Sequence, residues 1–188
     1  MKFEARNILA PTLIAAACAA LLAYVNHKTH PVIQEAARQK EFHTVALVLP
    51  GDFPTPVKTN LNGIACYASF DPGGELLGVA LEGVSFKGYG GEIRLLAGFM
   101  MDGTLYDFKI LHAPGETPGL GTQIQSDAFH GPLRNRSVSA CWTLKQDGGD
   151  IDAITAATIS SRAALEALRD TVEKFNALRS GRVHDKMW

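Results

Sequence analysis

The chain has 188 residues, 20% of them charged, and a net charge of -1, which is enough to bury one core and too balanced to track a nucleic-acid backbone. Its three cysteines include no CxxC pair, and no Cys/His spacing suits zinc or an iron–sulfur cluster, so resident metal chemistry has no support.

The first element is the uncharged run "ILAPTLIAAACAALLAYV", Ile8 to Val25, long enough as a helix to cross a hydrocarbon core of about 30 Å. Lys2 and Arg6 precede it, so the N-terminus is expected in the cytoplasm and the rest outside it. A cleaved signal peptide and a lipidated Cys18 fit less well. The apolar run continues through Leu21, Leu22, Tyr24 and Val25, and no small-x-small site precedes a polar start. Pro11 falls in the first turn, where a helix tolerates it. Residues 1–28 are therefore expected to form a single transmembrane anchor.

Ile33, Ala36, Ala37, Lys40 and Phe42 follow in a loosely helical pattern that ends before Pro50. They place a stalk or first helix within residues 29–52. The main domain is expected over 53–180, with 181–188 as a tail.

Short apolar runs bounded by glycine and aspartate come next: Ile64 to Phe70, Leu76 to Leu81 and Ile93 to Met100. These predict strands. Asp102 and Gly103 supply a tight turn to a second strand in which Tyr106, Phe108 and Ile110 alternate with Asp107 and Lys109, the pattern of a sheet with one buried face. The fold class is α+β, with a mixed, largely antiparallel sheet. Cys66 and Cys141 lie in this domain and could pair if the fold brings them within bridging distance.

The loop "HAPGETPGLGTQI", His112 to Ile124, carries two prolines and three glycines. Such a loop can bring backbone amides close to a flat ligand, and equally it can be a plain surface connection. Farther on, "DAITAATISS" places Thr155, Thr158, Ser160 and Ser161 around small alanines just before a helix. There Leu165, Leu168, Val172, Phe175 and Leu178 share one face, and Gly181 is the expected stop. A hydroxyl at a helix start usually caps it. The same geometry also stabilises a phosphate.

Taken together, "ETPGLG", "DAITAATISS" and "GYGGEIRLLAGF" resemble the FMN-binding domain shared by the G subunit of the Rnf electron-transport complex and the C subunit of the sodium-pumping NADH:quinone reductase. Short length and a single anchor bring the chain closer to the former. The resemblance implies FMN attached covalently through a threonine phosphoester at Thr158, with Thr155 as the first hydroxyl of the motif, Ala157 as its alanine and Ala156 replacing the usual glycine. Glu116, Thr117, Pro118, Gly119, Leu120 and Gly121 would contact the flavin, and Tyr89 would lie near it. Phe129 and Gly131 fall at positions equivalent to family residues, and Arg134 or Arg136 stands in for a family lysine. A flavin transferase using FAD as donor would mature the protein.

The function implied is an electron-carrying subunit with no complete active site of its own, anchored in the bacterial inner membrane with its FMN domain on the periplasmic side. Its partners would be the other subunits of a complex that couples electron flow between NADH and ferredoxin to ion translocation. Two alternatives stand beside it: a stand-alone FMN redox or regulatory protein, and a non-redox assembly module in which Thr158 is only a helix cap.

Overall fold

In the computed structural model residues 5–51 and 53–181 are described, the side chains of 5–10, 31–32 and 34–42 excepted. The chain divides into two compact units, 1–42 and 43–188. Helix α1, Ala5–Val48, runs through both the expected anchor and the expected stalk without a break. Every side chain from Pro11 to His30 is exposed, Leu13, Ile14, Leu21 and Leu22 among them. Among the described residues no helix is long and apolar enough to cross a membrane. The first residues of the expected span, Ile8 to Ala10, are among those whose side chains are not described. Of the expected tail, residues 182–188 lie outside the described residues.

The second unit is built on five antiparallel strands in sequence order: β1 (Val57–Leu61), β2 (Ile64–Phe70), β3 (Leu76–Gly88), β4 (Gly91–Met100) and β5 (Leu105–His112). Each pairs with its neighbour in the chain, so the sheet is a meander and wholly antiparallel rather than mixed. Turn chemistry explains the connections. Asn62 and Gly63 have φ of 51° and 80° and form a two-residue hairpin between Leu61 and Ile64. Asp102 Oδ1 accepts the Thr104 N–H at 2.8 Å, and Gly103 turns the chain at φ 94°.

One face of the sheet carries Val79, Leu81, Ile93, Leu95, Ala97 and Phe99, all nearly or fully buried. It is covered by α3, Thr158–Ser180, whose Leu165, Leu168, Val172 and Phe175 are buried as the spacing requires. Phe175 stacks on Phe99 at 4.9 Å between ring centres, and Gly181 ends the helix at φ 65°. At Gly83 the helix is so near that a Cβ would lie 2.2 Å from the Ala167 carbonyl oxygen. Val45, Val48 and Leu49, at and just beyond the end of α1, form a second cluster with Ala80 and Leu96. Gly98 permits that contact, since a Cβ there would lie 1.7 Å from the Val48 carbonyl oxygen.

The expected alternation in β5 is broken. The pairing register shifts between Gly98 and Phe99, so Asp107 is buried where a solvent-facing residue was expected, and Tyr106 is only half-buried. Arg134, from the segment after the short helix α2 (Asp127–His130), reaches Asp107 at 3.1 Å. Burial alone would raise the Asp107 carboxyl, but the His130 ring, Arg134 and the Phe108 N–H together hold its pKa down to about 2. Cys66 is buried, Cys141 is exposed, and both are free thiols. Burial pushes the Cys66 thiol up.

Candidate functional site

Three segments far apart in sequence meet beside the N-terminus of α3. The β3–β4 turn brings Tyr89, the loop after β5 brings Thr117, Leu120 and Gly121, and the helix start brings Ala156, Ala157, Thr158, Ile159 and Ser160. They line a cavity of about 550 Å3, within the size range of small-molecule and cofactor sites. Among the described residues no charged side chain lines it. Tyr89, Leu120 and Ile159 are exposed at 69%, 41% and 49%, so an apolar rim surrounds an open mouth.

The loop holds its own shape. The Leu120 and Thr122 N–H groups donate to the Thr117 carbonyl at 3.1 and 3.2 Å. The Gly119 N–H donates to the Thr122 hydroxyl at 2.9 Å, and the Gln123 amide donates to the Gly119 carbonyl at 2.6 Å. Gly119 takes φ 77°, which a glycine adopts at little cost.

At the helix start the N-cap is Ala157, which has no side chain to cap with. Thr158 is the first residue of the helix, half-buried, and its hydroxyl forms no hydrogen bond among the described residues. Ser161 stabilises the turn instead: its hydroxyl accepts the Ile154 N–H at 3.0 Å and donates to the Ala157 carbonyl at 2.9 Å. Among the described residues nothing accepts the N–H groups of Thr158, Ile159 and Ser160, which leaves the positive end of the helix dipole open at the cavity wall.

Of the residues expected at a site, Tyr89, Thr117, Leu120, Gly121, Ala157 and Thr158 line this cavity, as does Ala156. Glu116 does not. It is buried, its carboxylate accepting the Ser160 hydroxyl and, at 3.5 Å, the Gly90 N–H. Pro118, Gly119 and Thr155 are exposed and outside the lining. Arg134 is engaged by Asp107 and Asp127. Arg136 is engaged by Asp150 and the Cys141 carbonyl, and neither arginine lines the cavity. Phe129 is a core residue. Ile159 was not singled out from the sequence, and Ser160 only as one of the hydroxyls at the helix start; the signal for both was position, one and two residues after Thr158 on the first helical turn.

Residues 88–173 match the FMN-binding domain family. A Vibrio vulnificus protein, named as the G subunit of an ion-translocating oxidoreductase complex, is 36% identical over 112 residues, covering 56% of this chain and 53% of that protein, so the match spans about half its length. A Methanosarcina acetivorans protein of the same name is 33% identical over 178 residues, covering 90% of this chain and 93% of the relative. Among solved structures, the C subunit of the Na(+)-translocating NADH-quinone reductase from Parabacteroides distasonis superposes with a TM-score of 0.52 at 18% identity, over 67% of this chain and 77% of that one. That last likeness concerns the fold alone. With an antiparallel FMN-binding domain and a relative matched along nearly its whole length, the chain belongs to the family of G subunits of the Rnf-type ion-translocating oxidoreductase complexes.

Proposed function

We propose that the chain is a membrane-anchored electron-transfer subunit of an Rnf-type complex, carrying FMN in the cavity beside α3 through a phosphoester to the Thr158 hydroxyl. The observation that carries the reading is the Thr158 hydroxyl itself: unbonded, on the first helical residue, at the wall of a neutral cavity of about 550 Å3. A cap reading would require Thr158 to precede the helix and bond its first amides, but that position belongs to Ala157.

The residues suit the group. A flat, largely apolar ring system fits between Tyr89, Leu120 and Ile159. The free N–H groups of Thr158, Ile159 and Ser160 favour the phosphodiester anion, against the opposing charge of the Glu116 carboxylate that Ser160 holds behind the wall. Attachment would join the Thr158 oxygen to the flavin-side phosphorus of FAD, break the pyrophosphate bond and release AMP, in the active site of a flavin transferase. Bound FMN would supply the redox chemistry, taking up electrons and passing them on. The protein's part is to hold the ring, keep it from leaving and leave one edge reachable through the open mouth.

The names of the relatives support the setting, an ion-translocating complex and, in a Clostridium ljungdahlii relative, ferredoxin:NAD(+) oxidoreductase. The uncharged run from Ile8 to Val25 supports a single-pass anchor, with the N-terminus cytoplasmic and the FMN domain on the periplasmic side.

One experiment tests both parts. Full-length chain coexpressed with a flavin transferase is expected to give a fluorescent band on a denaturing gel, retained in membranes after alkaline washing, and Thr158→Ala a dark one. A dark wild type, or a fluorescent Thr158→Ala, overturns the attachment; loss of the band to the wash overturns the anchor.

A further inference from the structure

We propose that Glu116 is the positioning residue of this site: a carboxylate delivered from the glycine loop to the first turn of α3, where it fastens loop, β3–β4 turn and helix start into one wall. Its geometry stands alone; its effect on a flavin rests on the reading above.

Glu116 is 5% exposed, and among the described residues it has no ion-pair partner. A buried carboxylate without a cation needs donors and a favourable dipole. It has both. The Ser160 hydroxyl donates to Oε2, and the Gly90 N–H lies 3.5 Å from Oε1. Ser160 is the third residue of α3, and the helix supplies no acid of its own in its first turn and no side-chain cap. Glu116 provides, from 44 residues away in the chain, the anion that this helix start lacks.

The surrounding glycines have a steric reason. A Cβ at Gly121 would lie 2.1 Å from Glu116 Oε2, and one at Gly88 would lie 2.9 Å from Oε1. Gly90 and Gly115 meet backbone to backbone, a Cβ on either falling within 2.3 Å of the other. Gly88 and Gly121 therefore make room for the buried carboxylate, and Gly90 and Gly115 for the contact between two loops. Gly121 and Ser160 also line the cavity, so the carboxylate stands directly behind its wall. Because the lining is uncharged, a negative charge there disfavours the addition of electrons to an occupant and lowers its potential.

The test uses full-length Glu116→Gln and Ser160→Ala, each with and without the transferase. In flavin-free protein, amide hydrogen exchange over residues 119–122 and 161–165 is expected to quicken by about tenfold or more in both variants, as loss of a buried charged hydrogen bond implies. Exchange in those segments equal to wild type overturns the fastening role, and Ser160→Ala decides this alone if Glu116→Gln does not fold. In flavin-loaded protein, the midpoint potential is expected to rise in Glu116→Gln and to move less in Ser160→Ala, which keeps the charge. Equal potentials in wild type and Glu116→Gln overturn the electrostatic role. A wild type that carries no flavin overturns the functional reading and with it the effect on potential, while the exchange comparison still judges the fastening.

Discussion

Ala156 stands at φ 61°, a left-handed conformation that costs an alanine about 1–2 kcal/mol and a glycine almost nothing. The position is exposed and lines the cavity two residues before Thr158, so strain is held next to the proposed attachment point. Ala156→Gly is expected to stabilise the fold by about 0.5–1 kcal/mol, the relief of strain being partly offset by a more flexible unfolded chain; a urea midpoint unchanged or lowered would refute it. The departure from the family's usual glycine was visible in the sequence, and its backbone consequence is what the structure adds. The place of Thr158 at the helix start was legible for a similar reason, since motif and helix periodicity both converge on it. The role of Glu116 was not legible: nothing local distinguishes a carboxylate that faces a ligand from one that turns behind the wall to Ser160.

Elements were read best where one face is buried and the other is not. Leu165, Leu168, Val172 and Phe175 announced α3 because α3 lies on the sheet surface. The strand β1 went unread because, at the sheet edge, it has no fully buried residue to mark an apolar face. Yet the Asn62–Gly63 pair after it is a strong hairpin signal that hydropathy alone passes over. Element packing also rests on absences that no pattern of apolar residues reveals. Gly98→Ala would drive a Cβ to 1.7 Å from the Val48 carbonyl oxygen, and Gly83→Ala to 2.2 Å from that of Ala167. Neither backbone can yield without moving a helix. Each variant is expected to cost about 1–3 kcal/mol, the usual range for overpacking, measured as a fall in urea midpoint. Gly74→Ala is a poor control because of its φ of 86°, whereas Gly131→Ala, with open space around its Cβ and φ of -50°, should change stability little.

For the molecule as a whole, Asp107 is the most strongly depressed carboxylate among the described residues and makes its own contribution to acid stability. Asp107 joins β5 to the α2 segment through Arg134, and its native pKa of about 2 lies below the value of about 3.9 for an unfolded aspartate. A depressed native pKa stabilises the fold where the group is charged in both states, above about pH 4. That contribution, about 2.6 kcal/mol by linkage, is lost as the pH falls from about 4 to about 2. The difference in urea midpoint between wild type and Asp107→Asn should therefore be full at about pH 5 and much smaller at about pH 2.5. A constant difference would sink the assignment.

The order of the strands has a kinetic consequence. Each strand pairs with the one just before it, so a chain emerging N-terminus first can add hairpin to hairpin, with little loop to close at each step. Its cover comes last. Until residues 158–180 are free, the face bearing Val79, Leu81, Ile93, Leu95 and Phe99 is bare, and a partly finished domain is a sticky one. Early termination anywhere before α3 would thus yield an aggregating fragment rather than a smaller working domain, and the interval between completing β5 and docking α3 is when the nascent protein most depends on a chaperone.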